Sequence, residues 1–199
     1  MIRIPSSSIA WITLVLVVLM AATRFHHPGS SFTLADASLA VFFLAGLFLE
    51  GKVVLIGFLL EAFLIDYSAI SVGGVSGFCV SPAYVFLIPT YTLLWWAGKL
   101  VSGFAVPGRK ASLAKAALVL MAAATLAFLI SNLSFYLWSG RLAELVWPEY
   151  VESLVREYPA YLGAVLFYTG LFMVGRLLLR QWIASRPLDT GETQRLAGH

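Results

Sequence analysis

The sequence predicts an all-α membrane protein, with six transmembrane helices forming a single integral membrane domain over residues 1–199. Of the 199 residues, 60% are apolar and only 12% are charged, and the mean hydropathy is +0.89. This composition excludes a soluble domain, and the length leaves no room for a second domain beside a membrane one. Six apolar stretches follow one another, whereas a soluble core could bury one such helix but not six in succession.

Polar or helix-breaking residues separate the six stretches. A helix that crosses a bilayer needs about 20 residues, so the last three stretches are long enough, whereas the second and third are short. Glu50-Gly51-Lys52 lies between those two and predicts a tight turn joining antiparallel helices. The predicted helices cover residues 9–22, 34–49, 53–67, 83–104, 113–137 and 158–183, followed by a polar C-terminal tail at 186–199.

Two segments need separate interpretation. Arg3, an apolar run and Met20-Ala21-Ala22-Thr23 also fit a cleavable signal peptide, but we expect a retained first helix. Residues 139–157 carry too many charges to span a bilayer. We therefore expect them to form a short amphipathic helix at the outer surface.

The distribution of Lys and Arg predicts the orientation. With both termini in the cytoplasm, ten basic residues fall on the inner side, and only Arg24, Arg141 and Arg156 fall on the outer side. Cytoplasmic loops carry such an excess, so both termini are predicted to be cytoplasmic. The net charge of +3 comes without a Lys/Arg patch interleaved with aromatic residues, so nucleic acid is not an expected partner.

This topology brings most of the unusual polar residues to the outer side. Asp36 lies at the start of the predicted second helix, where it is expected to act as an N-cap or as a first-turn acid that stabilises the helix dipole. Asp66 ends the third run, where a carboxylate is costly unless solvated or paired, which indicates a functional role. Glu61 lies mid-helix and needs a partner or a water-filled cavity. The residues predicted at the outer side are His26, His27, Asp36, Asp66, Cys79 and Tyr84.

Cys79 is the only cysteine and cannot form an internal disulfide. Most buried cysteines act as inert small hydrophobic residues. Cys79, however, lies in a Gly/Ser-rich break between two apolar runs, and Gly73, Gly74 and Gly77 permit close approach of the backbone to a ligand. This position favours a role for its thiol, which is a good ligand for a soft or borderline metal.

Several kinds of chemistry are not supported by the residue pattern. Zinc catalysis needs three or four ligands, and there is no HxxxH or CxxC spacing. No phosphate-binding glycine loop or ATPase motif is present. A membrane enzyme with a Cys79/His27 nucleophile pair, acting on a lipid or peptide, stays open but lacks an orienting third group. An assembly subunit without a ligand also stays open. The remaining interpretation is binding, and passage, of a small ligand from outside.

Two segments resemble a known family. They are RFHHPGSSFTLADAS at residues 24–38 and GFCVSPAY at residues 77–84, within a six-helix chain of about 200 residues. They resemble the BtuM family, the solitary substrate-binding (S-component) proteins of energy-coupling-factor (ECF) vitamin transporters that take up cobalamin, vitamin B12. The similarity extends over essentially the whole chain, and the segment around Cys79 is its most specific part.

The resemblance implies an S-component fold in the bacterial cytoplasmic (inner) membrane, with cobalamin as the transported ligand and no free metal. It implies that Cys79 ligates the corrin cobalt, displaces the nucleotide base and promotes loss of cyanide from cyanocobalamin, an activity ancillary to transport. It also makes His27, Asp66 and Tyr84 candidates for the corrinoid pocket. His26 is the alternative to His27 as the histidine that faces the ligand.

One feature departs from typical S-components, which dock on the shared coupling subunit through small residues at four-residue spacing on the first helix. In this chain the run at 11–20 is bulky, and only Ser6 and Ala10 have that spacing. Close approach of a partner helix is therefore not favoured there. We expect the protein to work without a dedicated ECF ATPase module.

Overall fold

The computed structural model of the protein describes residues 6–24, 35–72, 82–105, 109–139 and 146–185. Throughout these ranges the chain is helical and contains no strand, so the predictions of an all-α fold and of six helices are confirmed. The helices are α1 (Ser6–Arg24), α2 (Ser38–Phe48), α3 (Lys52–Ser71), α4 (Leu87–Phe104), α5 (Lys110–Trp138) and α6 (Trp147–Ala184), and a 3-10 helix (Pro82–Phe86) directly precedes α4.

Helix α2 forms the centre of the bundle. All 11 of its residues are buried, as expected for a helix that is apolar on every side. At 1.5 Å per residue it is about 16 Å long, roughly half the thickness of a bilayer core. The helix predicted at 34–49 is therefore shorter in the structure, where it covers only Ser38–Phe48. The predicted tight turn follows it, with Gly51 at a φ of 94°, a conformation that favours glycine.

Helices α2 and α4 cross at a contact made by two glycines. A Cβ atom at Gly46 would overlap the carbonyl of Trp95, and a Cβ atom at Gly98 would overlap the carbonyl of Phe43. Each helix therefore presents a glycine to the backbone of the other. This allows the two backbones to approach more closely than any larger residue would permit.

Basic side chains lie at the end of the bundle where α2 finishes. Lys99 of α4 donates a hydrogen bond from Nζ to the carbonyl of Leu49, at 2.8 Å, and so satisfies an acceptor at the end of α2. The guanidinium of Arg176 in α6 lies over the ring of Phe48, 4.1 Å from its centroid. We call this the Lys99 end.

Within the described ranges, three helices are long and apolar enough to cross a membrane: α3, α5 and α6. Most of their side chains are exposed in the isolated chain. Helix α3 was predicted to be short but is 20 residues long. Helix α4 covers most of the predicted 83–104 span but is not among the three, because Thr90, Tyr91 and Lys99 make it more polar.

Helix α6 joins two segments that were predicted to be separate. The expected surface helix within 139–157 and the last span, 158–183, form one helix of 38 residues, with Pro159 in its interior. Both parts bind the same neighbour, α5. Tyr150 donates to the carbonyl of Asn132, and the hydroxyls of Tyr158 and Thr125 are hydrogen bonded, each at 2.7 Å. These contacts keep the helix continuous despite the amide hydrogen bond that a proline lacks.

Candidate functional site

Six polar side chains meet at the opposite end of the bundle, where α1 and α3 finish and α2 and α4 begin. A buried arginine lies at their centre, and α1, α3, α4, the 3-10 helix and the start of α2 each contribute to the group. We call it the Arg24 cluster. Its members are Arg24, Asp36, Ser38, Asp66, Tyr84 and Tyr91.

Arg24 and Asp66 form a two-pronged ion pair. The Nε atom of Arg24 donates to Oδ1 of Asp66 and the Nη2 atom donates to Oδ2, both at 2.6 Å. The Arg24 side chain is only 7% exposed and that of Asp66 21%. A charge this deeply buried is costly unless it is paired and fully hydrogen bonded, and paired donors in this geometry suit a carboxylate best.

The remaining nitrogen of Arg24 forms hydrogen bonds that link α1 to α2 and α4. Its Nη1 atom donates to the hydroxyl of Tyr91 at 2.6 Å and to Oγ of Ser38 at 2.9 Å, and a carboxylate oxygen of Asp36 lies 3.4 Å away. The Tyr91 ring is stacked on Phe42, with 4.4 Å between centroids and planes inclined by 2°. This stacking holds the tyrosine hydroxyl toward Arg24.

Asp36 lies two positions before α2, whose N-cap is Ala37, so it is neither the N-cap nor the first-turn acid expected from the sequence, but it does bind the start of that helix. Its Oδ1 atom accepts hydrogen bonds from the backbone amide of Ser38 at 2.9 Å and from the Ser38 hydroxyl at 2.6 Å. Thr23 Oγ1 accepts from the amide of Ala37 at 3.1 Å. The amide of Ala37 and the first amide of α2, that of Ser38, are therefore satisfied by side chains, and Asp36 also faces Arg24.

Tyr84 closes the cluster from the 3-10 helix. Its hydroxyl donates to Oδ2 of Asp66 at 2.6 Å, and the same oxygen accepts from Arg24. Partial burial, followed by the hydrogen bond to the Asp66 carboxylate, raises the pKa of Tyr84 above its ordinary value. Tyr84 is thus held as a neutral hydrogen-bond donor at physiological pH.

The cluster combines one guanidinium with two carboxylates, so it carries a formal charge of −1. The side chain of Asp36 is 42% exposed, which leaves acceptor capacity open toward solvent. Such a group accepts hydrogen bonds from amides or hydroxyls of a ligand. It is not a metal centre of the usual kind, because no three His, Cys, Asp or Glu side chains come together within the described ranges.

The structure brings together two of the predicted site residues. Asp66 and Tyr84 are directly hydrogen bonded. Cys79 and His27, together with His26, lie outside the described residues.

Four members of the cluster were not predicted as site residues: Arg24, Asp36, Ser38 and Tyr91. Arg24 was counted only as one of three basic residues on the outer side. Its position at the end of an apolar helix, with Asp66 at the end of another, was the available signal for the ion pair.

No protein-family model and no curated protein sequence matches this chain.

Proposed function

We propose that the protein is an integral membrane protein of the bacterial cytoplasmic membrane that binds cobalamin from outside and mediates its uptake. The observation that carries this proposal is the composition of the Arg24 cluster. The first BtuM-like segment, 24–38, begins at Arg24 and ends at Ser38, and these two side chains are hydrogen bonded at 2.9 Å. The second, 77–84, ends at Tyr84, which binds Asp66. The described ends of the two segments, Arg24 and Ser38 of the first and Tyr84 of the second, thus lie at the same end of the bundle.

The charges of the two ends support the orientation. The Lys99 end holds Lys52 at the start of α3, Lys99 near the end of α4, Lys110 at the start of α5, and Arg176 in α6. The Arg24 cluster is net negative. Since basic residues accumulate on the cytoplasmic side, we assign the Lys99 end to the cytoplasm and the Arg24 end to the outside.

The exposed apolar surface supports a place in the bilayer. Large side chains such as Leu60, Leu64, Leu118, Leu171 and Leu178 are more than half exposed. They lie on α3, α5 and α6, the three helices that are long and apolar enough to span. A water-soluble monomer rarely exposes so much contiguous apolar surface, whereas lipid would cover it.

Cys79 supplies the proposed ligand chemistry. Its thiolate donates an electron pair to cobalt at the lower axial position, in place of the nucleotide base. The opposite Co–C bond weakens, and cyanide departs as an anion with the bonding pair, so the oxidation state of cobalt does not change. His27, Asp66 and Tyr84 belong to the proposed pocket, where the acceptors of the Arg24 cluster suit the amide side chains at the corrin edge.

The absorption spectrum of the purified protein with cyanocobalamin tests this proposal. We expect the wild type to bind the ligand and shift its spectrum through thiolate ligation, and Cys79→Ala to lose the shift. Ser81→Ala, two positions away, is the matched control and should behave like the wild type. If Cys79→Ala keeps the wild-type spectrum and affinity, Cys79 is not the cobalt ligand.

The same spectrum, combined with covalent labelling of Cys79, separates the alternatives. Covalent labelling of Cys79 by substrate-like electrophiles, without corrinoid colour in the wild type, would indicate the Cys79/His27 enzyme instead. A protein that neither binds corrinoid nor reacts at Cys79, and that tolerates Cys79→Ser, would indicate an assembly subunit.

A further inference from the structure

Glu61 is an acidic residue in the middle of a helix that is long enough to span. It lies about 15 Å from either end of α3, at 1.5 Å per residue, and therefore near the centre of a hydrocarbon layer about 30 Å thick. Its Oε1 atom is buried and has no hydrogen-bond partner among the described residues. A carboxyl group at this depth is costly, and such groups mark proton relays and ion pathways.

Glu61 lies in an open groove between α1 and α3. The groove has a volume of about 500 Å³. It extends from Gly57 to Ser68, which at 1.5 Å per residue is about 16 Å along α3. It therefore leads from the middle of the helix toward the Arg24 end. Its lining residues are Ala21, Gly57, Leu60, Glu61, Leu64, Ile65 and Ser68.

The ionisable groups of the neighbouring helices are engaged elsewhere. Helix α3 packs against α1, α2 and α4. Arg24 of α1 and Tyr91 of α4 belong to the Arg24 cluster, more than one turn beyond Glu61. Lys99 of α4 binds the Leu49 carbonyl at the opposite end, and α2 carries no ionisable side chain. Among the residues that the structure describes, Glu61 is thus the one ionisable residue that lines the groove.

The few oxygen ligands in the groove determine which cation Glu61 can bind. A metal ion such as Ca²⁺ needs six or more oxygen ligands, and Mg²⁺ needs an octahedral set. The groove offers one carboxyl group and the hydroxyl of Ser68, whose proton is donated to the carbonyl of Leu64 at 2.7 Å. The cation that a single carboxylate binds without further ligands is the proton.

We propose that Glu61 is the proton-binding site through which an inward proton gradient drives uptake. The carboxylate takes a proton from the outer side along the groove and becomes a carboxylic acid. It releases that proton when the inner side opens, which restores the carboxylate. Both steps are proton transfers and involve no oxidation or reduction. This inference rests on the proposed uptake function and supplies its energy source.

Uptake into liposomes tests the inference. Purified protein is reconstituted, labelled cyanocobalamin is added outside, and the outside is made acidic relative to the lumen. We expect the gradient to accelerate uptake by the wild type and a protonophore to abolish the acceleration. Glu61→Gln keeps the shape of the side chain but cannot carry a proton, so its uptake should fall to the gradient-free rate while its corrinoid spectrum stays unchanged.

Three matched variants sharpen the result. Glu50→Gln removes an exposed carboxylate at the turn before α3 and should keep the full acceleration. Glu61→Asp should retain part of it. Ser68→Leu places a larger side chain in the groove between Glu61 and the Arg24 end and should slow gradient-driven uptake. Gradient acceleration that persists in Glu61→Gln, or its absence in the wild type, overturns the proposal.

A second measurement keeps the two proposals distinguishable. If the wild type binds no corrinoid, the proposed function fails, whereas proton binding by Glu61 can still be measured by infrared spectroscopy. One component of the carboxylic acid C=O absorption should titrate with pH in the wild type and be missing from the pH difference spectrum of Glu61→Gln. The absence of such a component overturns the proton site itself, whatever the corrinoid result.

Discussion

At the scale of single residues, the most consequential feature is the buried guanidinium of Arg24. Its donors bind one carboxylate with two prongs and face a tyrosine, a serine and a second carboxylate. Through these bonds one side chain links the end of α1 to α3, α4 and the start of α2. The cluster is therefore part of the candidate site and also holds these four helices together at this end of the bundle.

Removing the charge of Asp66 should strongly lower the free energy of unfolding of the protein. In Asp66→Asn, Arg24 loses its two-pronged partner inside the bundle, and breaking a buried pair in this way costs roughly 3–5 kcal/mol. Asp36→Asn is the matched control. Asp36 is more exposed and lies 3.4 Å from Arg24, so we expect a loss of about 1 kcal/mol or less. Thermal unfolding in detergent measures both, and equal losses would contradict the central role of the Asp66 pair.

At the scale of elements, the crossing of α2 and α4 determines the packing of the bundle. Helix α2 is too short to span alone and is buried along its whole length, so its stability comes from its neighbours. The reciprocal contacts of Gly46 and Gly98 set the distance between the two helices. A methyl group at either position would push the helices apart.

Gly98→Ala should therefore destabilise the protein by about 3 kcal/mol or more, because the new Cβ meets backbone atoms that cannot rotate away. Gly103→Ala on the same helix is the control. No atom lies within 4 Å of a Cβ at that position, and alanine is the better helix former. We expect Gly103→Ala to be neutral or to stabilise by up to about 1 kcal/mol. Similar unfolding temperatures for the two variants would show that the crossing tolerates a larger separation.

At the scale of the whole molecule, the two ends of the bundle differ in character. One end holds the net-negative Arg24 cluster, and the other holds Lys99 and Arg176 over the end of α2. An apolar surface separates them on α3, α5 and α6. This arrangement is what the proposed uptake function requires: a ligand site on one side, a basic side facing the cytoplasm, and lipid between.

Cyanocobalamin should raise the thermal stability of the whole protein. A ligand that binds only the folded state stabilises it by about 2.7 kcal/mol at a concentration of 100 Kd. The size of the shift should rise with ligand concentration and should be smaller in Cys79→Ala at the same concentration. An unfolding temperature that is unchanged by cyanocobalamin at any concentration would count against corrinoid binding.

Hydropathy and composition, read along the chain, determined the all-α class, the six helices and the turn at Gly51. They could do so because apolar length and backbone freedom are local properties of a segment. The extended sixth helix was missed because charge density suggested a break near 157. Only the contacts of Tyr150 and Tyr158 with α5 show that the helix continues.

The candidate site was partly accessible from the sequence. Asp66 and Tyr84 stood out because each lies at the edge of an apolar run, where a polar group is costly unless it is solvated or paired. Arg24, Ser38 and Tyr91 did not stand out, because their importance depends on partners far away in the chain. Arg24 and Asp66 are 42 positions apart, and Arg24 and Tyr91 are 67.

The sequence by itself thus determined which segments are helical and where polar residues interrupt them. Only the tertiary structure decided that α2 is a short, wholly buried helix and that Arg24 is the centre of a polar cluster. It also decided that Glu61 lines a groove and that its Oε1 atom has no hydrogen-bond partner among the described residues. The physical reason is that burial and pairing are properties of a neighbourhood in space, and one helix crossing brings together residues that no local pattern relates.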